Sequence, residues 1–168
     1  MKTEELKAIQ APLKDAYRIE PAKALVTMRA EGKVELSGQV CSVLSHAGLV
    51  RAGLHKAAGG PGAEACSGEL LLESLVACAG VTFSAVATNM ALLIRGCKIV
   101  AEGDMDFRGT LGIDRIVPVG LTGVRLMFEV DSDLDQATVD KLVSLTERYC
   151  VIYQTLLKGV PSITSSIV

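Results

Sequence analysis

The chain has 168 residues, a formal net charge of −2, 49% apolar residues and 4% aromatic residues, with no Trp. That length supports a single domain with a real core. The balanced charge and scarce aromatics exclude the basic, base-stacking surface of a nucleic-acid binder.

The mean hydropathy of +0.39 is high for a soluble monomer, and fits a deep core or an apolar subunit interface. The opening MKTEELKAIQ carries acids and no apolar run. It reads as no signal peptide, so the expected location is cytoplasmic. Five cysteines occur, Cys41, Cys66, Cys78, Cys97 and Cys150, without a CxxC pair. The odd count and the spacing argue against structural disulfides and a zinc site. The default reading of each is a small buried hydrophobe.

Residues 3–20 read as one or two short amphipathic helices, with Pro12 suited to a first turn and Pro21 closing the segment. Residues 1–22 are therefore expected to be a helical extension, and 23–168 the main domain. Residues 24–58 read as strands in an antiparallel meander, with turns at Ser37-Gly38 and His46-Ala47-Gly48. His46 and His55 lie on or beside these strands without the partners of a catalytic pair or metal site. Gly59-Gly60-Pro61-Gly62 breaks the periodicity as a loop. It lacks the lysine and spacing of a phosphate-binding loop.

The stretch SGELLLESLVACAGVTFSAVATNMALLIR, Ser67 to Arg95, has no charged residue between Glu73 and Arg95. Ser67 can cap it, and Glu69 suits the N-terminal dipole. Apolar residues run round every face, so the spacing predicts a helix over about 67–95 that is buried all round. It is long enough to cross a membrane. Ser74, Thr82, Ser84, Thr88 and Asn89 interrupt it, however, and the flanks carry no one-sided basic bias. No membrane is expected. Cys78 sits in its middle.

Ile99, Ala101, Met105 and Phe107 then alternate with Glu102, Asp104, Asp106 and Arg108, a half-exposed strand. Leu111–Val119 is an irregular link, and Val124–Val130 alternates again. Asp133 or Asp135 can cap a helix running to about Lys158, with Val139, Leu142, Val143, Cys150, Tyr153 and Leu157 on its apolar face. Ser162–Val168 is β-branched and reads as a closing strand. Two helices thus each bring a thiol, Cys78 and Cys150, to a buried face. Such thiols are ordinarily inert space-fillers.

The order of a meander, the GGPG loop at 59–62, Glu69-Leu70-Leu71-Leu72 leading to Cys78, two strands, and Glu147-Arg148-Tyr149-Cys150 in a second helix resembles the OsmC/Ohr family of peroxide-handling proteins. The resemblance covers roughly residues 24–168. It implies an α+β fold, with curved antiparallel sheets around two helices, assembled as an intertwined homodimer. It also implies a thiol peroxidase. The Cys78 thiolate would attack an organic hydroperoxide, release an alcohol and become a sulfenic acid. Cys150 would resolve that acid to a disulfide, which a dithiol such as a lipoyl group would reopen. No metal or bound cofactor is implied.

The family activates its first cysteine with an arginine held by a glutamate. Glu69 matches the glutamate, nine residues before Cys78 where the Ohr branch usually has ten. On one continuous helix the two would lie about 13 Å apart on opposite faces, so Glu69 also reads as a simple dipole partner. The Ohr branch carries the arginine in a GGR loop that is absent here. Arg29 is the nearest match, with Lys33 behind it, and both also read as solvated strand charges. Val151 stands where many members have proline. These departures favour a general OsmC-like branch. Cys66, just before the central helix, is an alternative resolving thiol, while Cys41 and Cys97 look like strand packing.

Two other readings compete. One is a non-catalytic member of the fold, a small-molecule binder or thiol redox sensor. The other is a thioesterase using Glu69 or Glu73, for which two facing cysteines are not required.

Overall fold

The structure is a computed structural model that describes residues 2–167. It is α+β, as expected. In chain order come α1 (Thr3–Ile19), β1 (Gly32–Glu35), β2 (Val40–Ser45), β3 (Gly48–Gly53), β4 (Ala65–Cys66) and α2 (Ser67–Asn89). They are followed by β5 (Gly96–Met105), α3 (Phe107–Thr110), β6 (Leu121–Asp131), α4 (Gln136–Tyr149) and α5 (Val151–Lys158). The N-terminal segment is one helix rather than two, with Pro12 inside it. The chain packs as two compact units. One comprises residues up to Gln10, Ser74–Val100 and Leu126 onward; the other comprises Ala11–Glu73 and Ala101–Arg125.

The second unit holds a four-stranded sheet in the order β1-β2-β3-β4. β1 pairs antiparallel with β2, from Gly32↔Val43 to Glu35↔Val40. β2 and β3 form the expected hairpin at His46-Ala47, closing at Ser45↔Gly48. The Ser45 hydroxyl tightens it, donating to the Gly48 carbonyl (2.9 Å) and accepting from the Ala47 N–H (3.2 Å).

Two features depart from the expected sheet. Residues 25–31 belong to no strand, and Leu25, Val26 and Met28 stand exposed on them. Beyond that range, the lead into α2 forms β4, which lies parallel to β3 where the resemblance implied antiparallel sheets. Gly60 has a packing reason in the loop that follows. Its N–H donates to the His55 carbonyl (3.1 Å). A Cβ there would stand 1.9 Å from the Leu54 carbonyl oxygen. His55 accepts from the Ala57 N–H and stacks on Phe107 at 4.9 Å.

In the first unit, the core is Phe83, Ala87 and Leu142, with Met90, Leu92, Ile94, Cys97, Ile99, Phe128 and Val130 packed round it. The expected helix over 67–95, buried on every face, is shorter and less covered. α2 stops at Asn89. Ala91 takes a left-handed conformation (φ +53°). The Leu92 N–H returns to the Ala87 carbonyl and the Ala91 N–H to the Thr88 carbonyl, both at 3.0 Å. That is a Schellman stop made with alanine where glycine is usual. α2 buries only Leu75, Ala79, Phe83 and Ala87, one i,i+4 stripe. Val81, on another face, is exposed. Among the described residues α2 is the one helix long and apolar enough to cross a membrane, but its stripe is packed against protein.

β5 and β6 form a two-stranded sheet. Arg95 N–H to Asp131 carbonyl, Lys98 with Glu129, and Thr122 hydroxyl to Asp104 carbonyl step in opposite directions along them, so the strands run antiparallel. Their alternation is as expected, with charges outward, although β5 ends at Met105 and Phe107 opens α3. The single helix expected up to Lys158 is two, broken at Cys150. Residues 162–167 form no strand, and Val168 lies outside the described residues.

Candidate functional site

The break at Cys150 builds the site. Asp135 caps α4, its carboxylate accepting from the Thr138 N–H at 2.7 Å. α4 closes with the Cys150 N–H on the Thr146 carbonyl (2.8 Å). Cys150 is then extended (φ −72°, ψ 111°) and becomes the N-cap of α5. Its sulfur accepts from the Tyr153 N–H at 3.5 Å. Its carbonyl accepts the first intrahelical bond, from Gln154 N–H (3.0 Å). The Gln154 side chain holds the corner by donating to the Glu147 carbonyl (2.9 Å).

The N–H groups of Val151 and Ile152 are the first of the new helix, so α5 itself offers them no acceptor. Both favour the charged form of the Cys78 sulfur of α2. The Cys150 thiol is fully buried, and it and Cys78 shift each other's ionisation. Thr82 lies one helical turn after Cys78. Its hydroxyl donates to the Cys78 carbonyl at 2.8 Å and adds weakly to the stabilisation of the thiolate.

These contacts separate the two thiols chemically. Burial works against ionisation of Cys78. The Ile152 N–H, the Cys150 thiol, the Val151 N–H and the Thr82 hydroxyl outweigh it and bring Cys78 below the ordinary thiol range. The positive end of α5 acts in the same sense. Burial pushes the Cys150 thiol up, and the neighbouring Cys78 adds to that rise. The pair thus combines one thiolate-prone sulfur with one proton-bearing sulfur. Burial, then the Glu129 charge, pushes Cys97 up as well, consistent with a packing role.

The two other expected site residues take local partners. Glu69 accepts from the Cys66 N–H at 2.8 Å, capping α2. Arg29 pairs with Glu31 at 2.8 Å, and both side chains are mostly exposed. Lys33 lies on β1, opposite Ser42. With Arg29, His46 and Arg51 it lines an open cleft of about 980 Å³. Arg51 is the more firmly held arginine there, bonded to Glu64 (2.8 Å) and Glu35 (2.9 Å). The two glutamates raise its already high pKa further. No group of acidic, histidine or cysteine side chains among the described residues could hold a metal.

The sequence reading identified both cysteines but not their donors. The Val151 and Ile152 amides carry no side-chain signal. Thr82 did have one: it sits four residues after Cys78, hence on the same helix face.

A family model described as OsmC-like protein matches residues 60–166. No curated protein matches the chain in sequence. Among solved structures, an OsmC-like protein from Mycoplasma pneumoniae superposes with a TM-score of 0.66 at 15% identity, covering 80% of this chain and 89% of that one. An organic hydroperoxide resistance protein OsmC from Legionella pneumophila gives 0.61 at 19% identity, covering 80% and 91%. OhrB, the organic hydroperoxide resistance protein of Bacillus subtilis, gives 0.56 at 20% identity, covering 80% and 92%. At these identities the neighbours speak for the fold. The family model spans well over half the sequence, and the chain belongs to the OsmC-like family.

Proposed function

We propose that this protein is a thiol peroxidase that reduces organic hydroperoxides to alcohols. The reading is supported by the coupling of Cys78 on α2 with Cys150 at the N-cap of α5, Cys78 drawn toward thiolate and Cys150 held toward thiol. The thiolate is the nucleophile in peroxide cleavage. Cys78 sulfur attacks the terminal oxygen of ROOH, the O–O bond breaks, and the alkoxide leaves with a proton as ROH. Cys78 is then a sulfenic acid. Cys150 still carries its proton. Its sulfur displaces the sulfenic hydroxyl as water and forms a disulfide. An external dithiol, for which a lipoyl group has suitable chemistry, returns both thiols.

In this reading the activation of Cys78 comes from α5 and Thr82, and neither Arg29 nor Glu69 is needed for it. The working form is a homodimer, supported by the exposed Leu25, Val26, Met28 and Leu36 beside edge strand β1. The test is steady-state consumption of cumene hydroperoxide with dihydrolipoamide. Turnover should vanish in Cys78→Ser. Cys150→Ser should consume one equivalent and then fail to recycle. No turnover by the wild type would overturn the reading.

A further inference from the structure

A helix leaves its last four carbonyls without an intrahelical partner. At the end of α4 the Thr146 carbonyl takes the Cys150 N–H at 2.8 Å. In an unbroken helix the next carbonyl, that of Glu147, would take the N–H of Val151. The extended backbone of Cys150 (φ −72°, ψ 111°) turns Val151 into α5 instead. Gln154 fills the gap. Its Nε2 donates to the Glu147 carbonyl at 2.9 Å from seven residues further on, in a partly buried bond. The backbone N–H of the same Gln154 donates to the Cys150 carbonyl at 3.0 Å. One residue of α5 is thus bonded on both sides of the break.

We infer that Gln154 is a positioning residue for Cys150, clamping the corner between α4 and α5 so that the second thiol stands ready for its disulfide with Cys78. Cys150 is the one residue between the two helices. Rotation about its backbone swings α5, and the sulfur is tied to α5 through the Tyr153 N–H at 3.5 Å. The Gln154 bond closes a ring across that hinge. The corner is therefore ordered before the disulfide forms, and the new bond does not have to order it. Without the clamp the reduced corner gains freedom that the disulfide must remove.

The pairing of the two thiols rests on the proposed reading, but the test needs no peroxide. Reduced full-length protein is equilibrated in mixtures of reduced and oxidised glutathione, quenched with acid and mapped by peptide mass spectrometry. As Cys78 and Cys150 join, they give up two electrons and two protons, which oxidised glutathione takes up to become two thiols. Gln154→Met keeps the length and loses the donor; Gln154→Asn keeps the amide on a side chain one methylene shorter. Both should need about fivefold more oxidised glutathione, at fixed reduced glutathione, to form half of the disulfide, the scale of one hydrogen bond. Gln136→Met is the control. It loses a glutamine bond on α4, to Asp140 at 2.7 Å, away from the corner, and should overlay wild type. Gln154 variants that overlay wild type, a Gln136→Met shift as large as theirs, or a wild type that forms no Cys78–Cys150 bond overturns the inference. A wild type that forms the bond but leaves cumene hydroperoxide unconsumed defeats the peroxidase reading and leaves the inference standing.

Discussion

Cys150 caps the very helix whose first amides favour the Cys78 thiolate. Its sulfur accepts from the Tyr153 N–H, while the N–H groups of Ile152 and Val151 draw Cys78 toward its thiolate. One residue therefore ends α4, starts α5 and presents the second thiol. In the proposed reading, the break in the helix is what turns two packed cysteines into a site.

In the proposed reading, the opposite shifts of the two thiols predict an order of reaction. The Cys78 value is lowered and the Cys150 value raised. Thiolate forms as pH rises through each value, so Cys78 becomes nucleophilic at lower pH than an ordinary thiol and Cys150 at higher pH. Alkylation of the reduced protein near neutral pH, read peptide by peptide, should label Cys78 well before Cys150. Equal labelling, or Cys150 first, would contradict the assignment.

Val151 occupies the first position of α5, where proline fits because the amide has no intrahelical acceptor. Cys150 is already in the extended conformation that a following proline demands. Val151→Pro should therefore fold, the stiffening of the unfolded chain being offset by loss of the amide that acts on Cys78, so that stability stays within about 1 kcal/mol of wild type. It should also remove one donor from Cys78 and move that thiol's alkylation curve to higher pH. Urea denaturation and alkylation across a pH series together check both halves.

Ala91 sits in the left-handed region at the end of α2. The strain of a Cβ there disappears in glycine. Ala91→Gly should leave the Schellman bonds in place and stabilise the protein by about 0.5–1 kcal/mol, less the added freedom of the unfolded chain. A midpoint shifted downward in urea would show that the stop does not depend on this conformation.

Glu69 and Arg29 provide the control. Glu69 accepts from the Cys66 N–H at the start of α2, so Glu69→Ala should cost about 1 kcal/mol as a lost cap. Arg29 pairs with Glu31 on the surface, where such a pair contributes little. In this account neither Glu69→Ala nor Arg29→Ala moves the Cys78 alkylation curve. A clear shift to higher pH in either would return that residue to the activating role.

Much of this was legible in the sequence because the signals are local. The run of apolar residues after Ser67 marked α2, the alternation of 99–107 and 124–130 marked β5 and β6, and the pair Asp133 and Asp135 marked the α4 cap, which Asp135 supplies. Cys78 and Cys150 stood out by their place on those elements. What escaped was set by backbone geometry without a residue signature. No proline or glycine announces the break at Cys150, and Ala91 is not a usual helix stop. The partners of Arg51, Glu35 and Glu64, lie 16 and 13 residues away in sequence, beyond any local pattern. All-round apolar character marked α2 as a core helix, but one chain covers only one stripe of it.

The most direct measurement is to treat the reduced protein with one equivalent of cumene hydroperoxide and map its disulfides by peptide mass spectrometry. The account predicts a single new bond, Cys78 to Cys150, formed as the peroxide is consumed, and in Cys150→Ser a sulfenic acid trapped at Cys78. A protein that leaves the peroxide intact, or one oxidised at Cys66, Cys41 or Cys97 with Cys78 untouched, would contradict it.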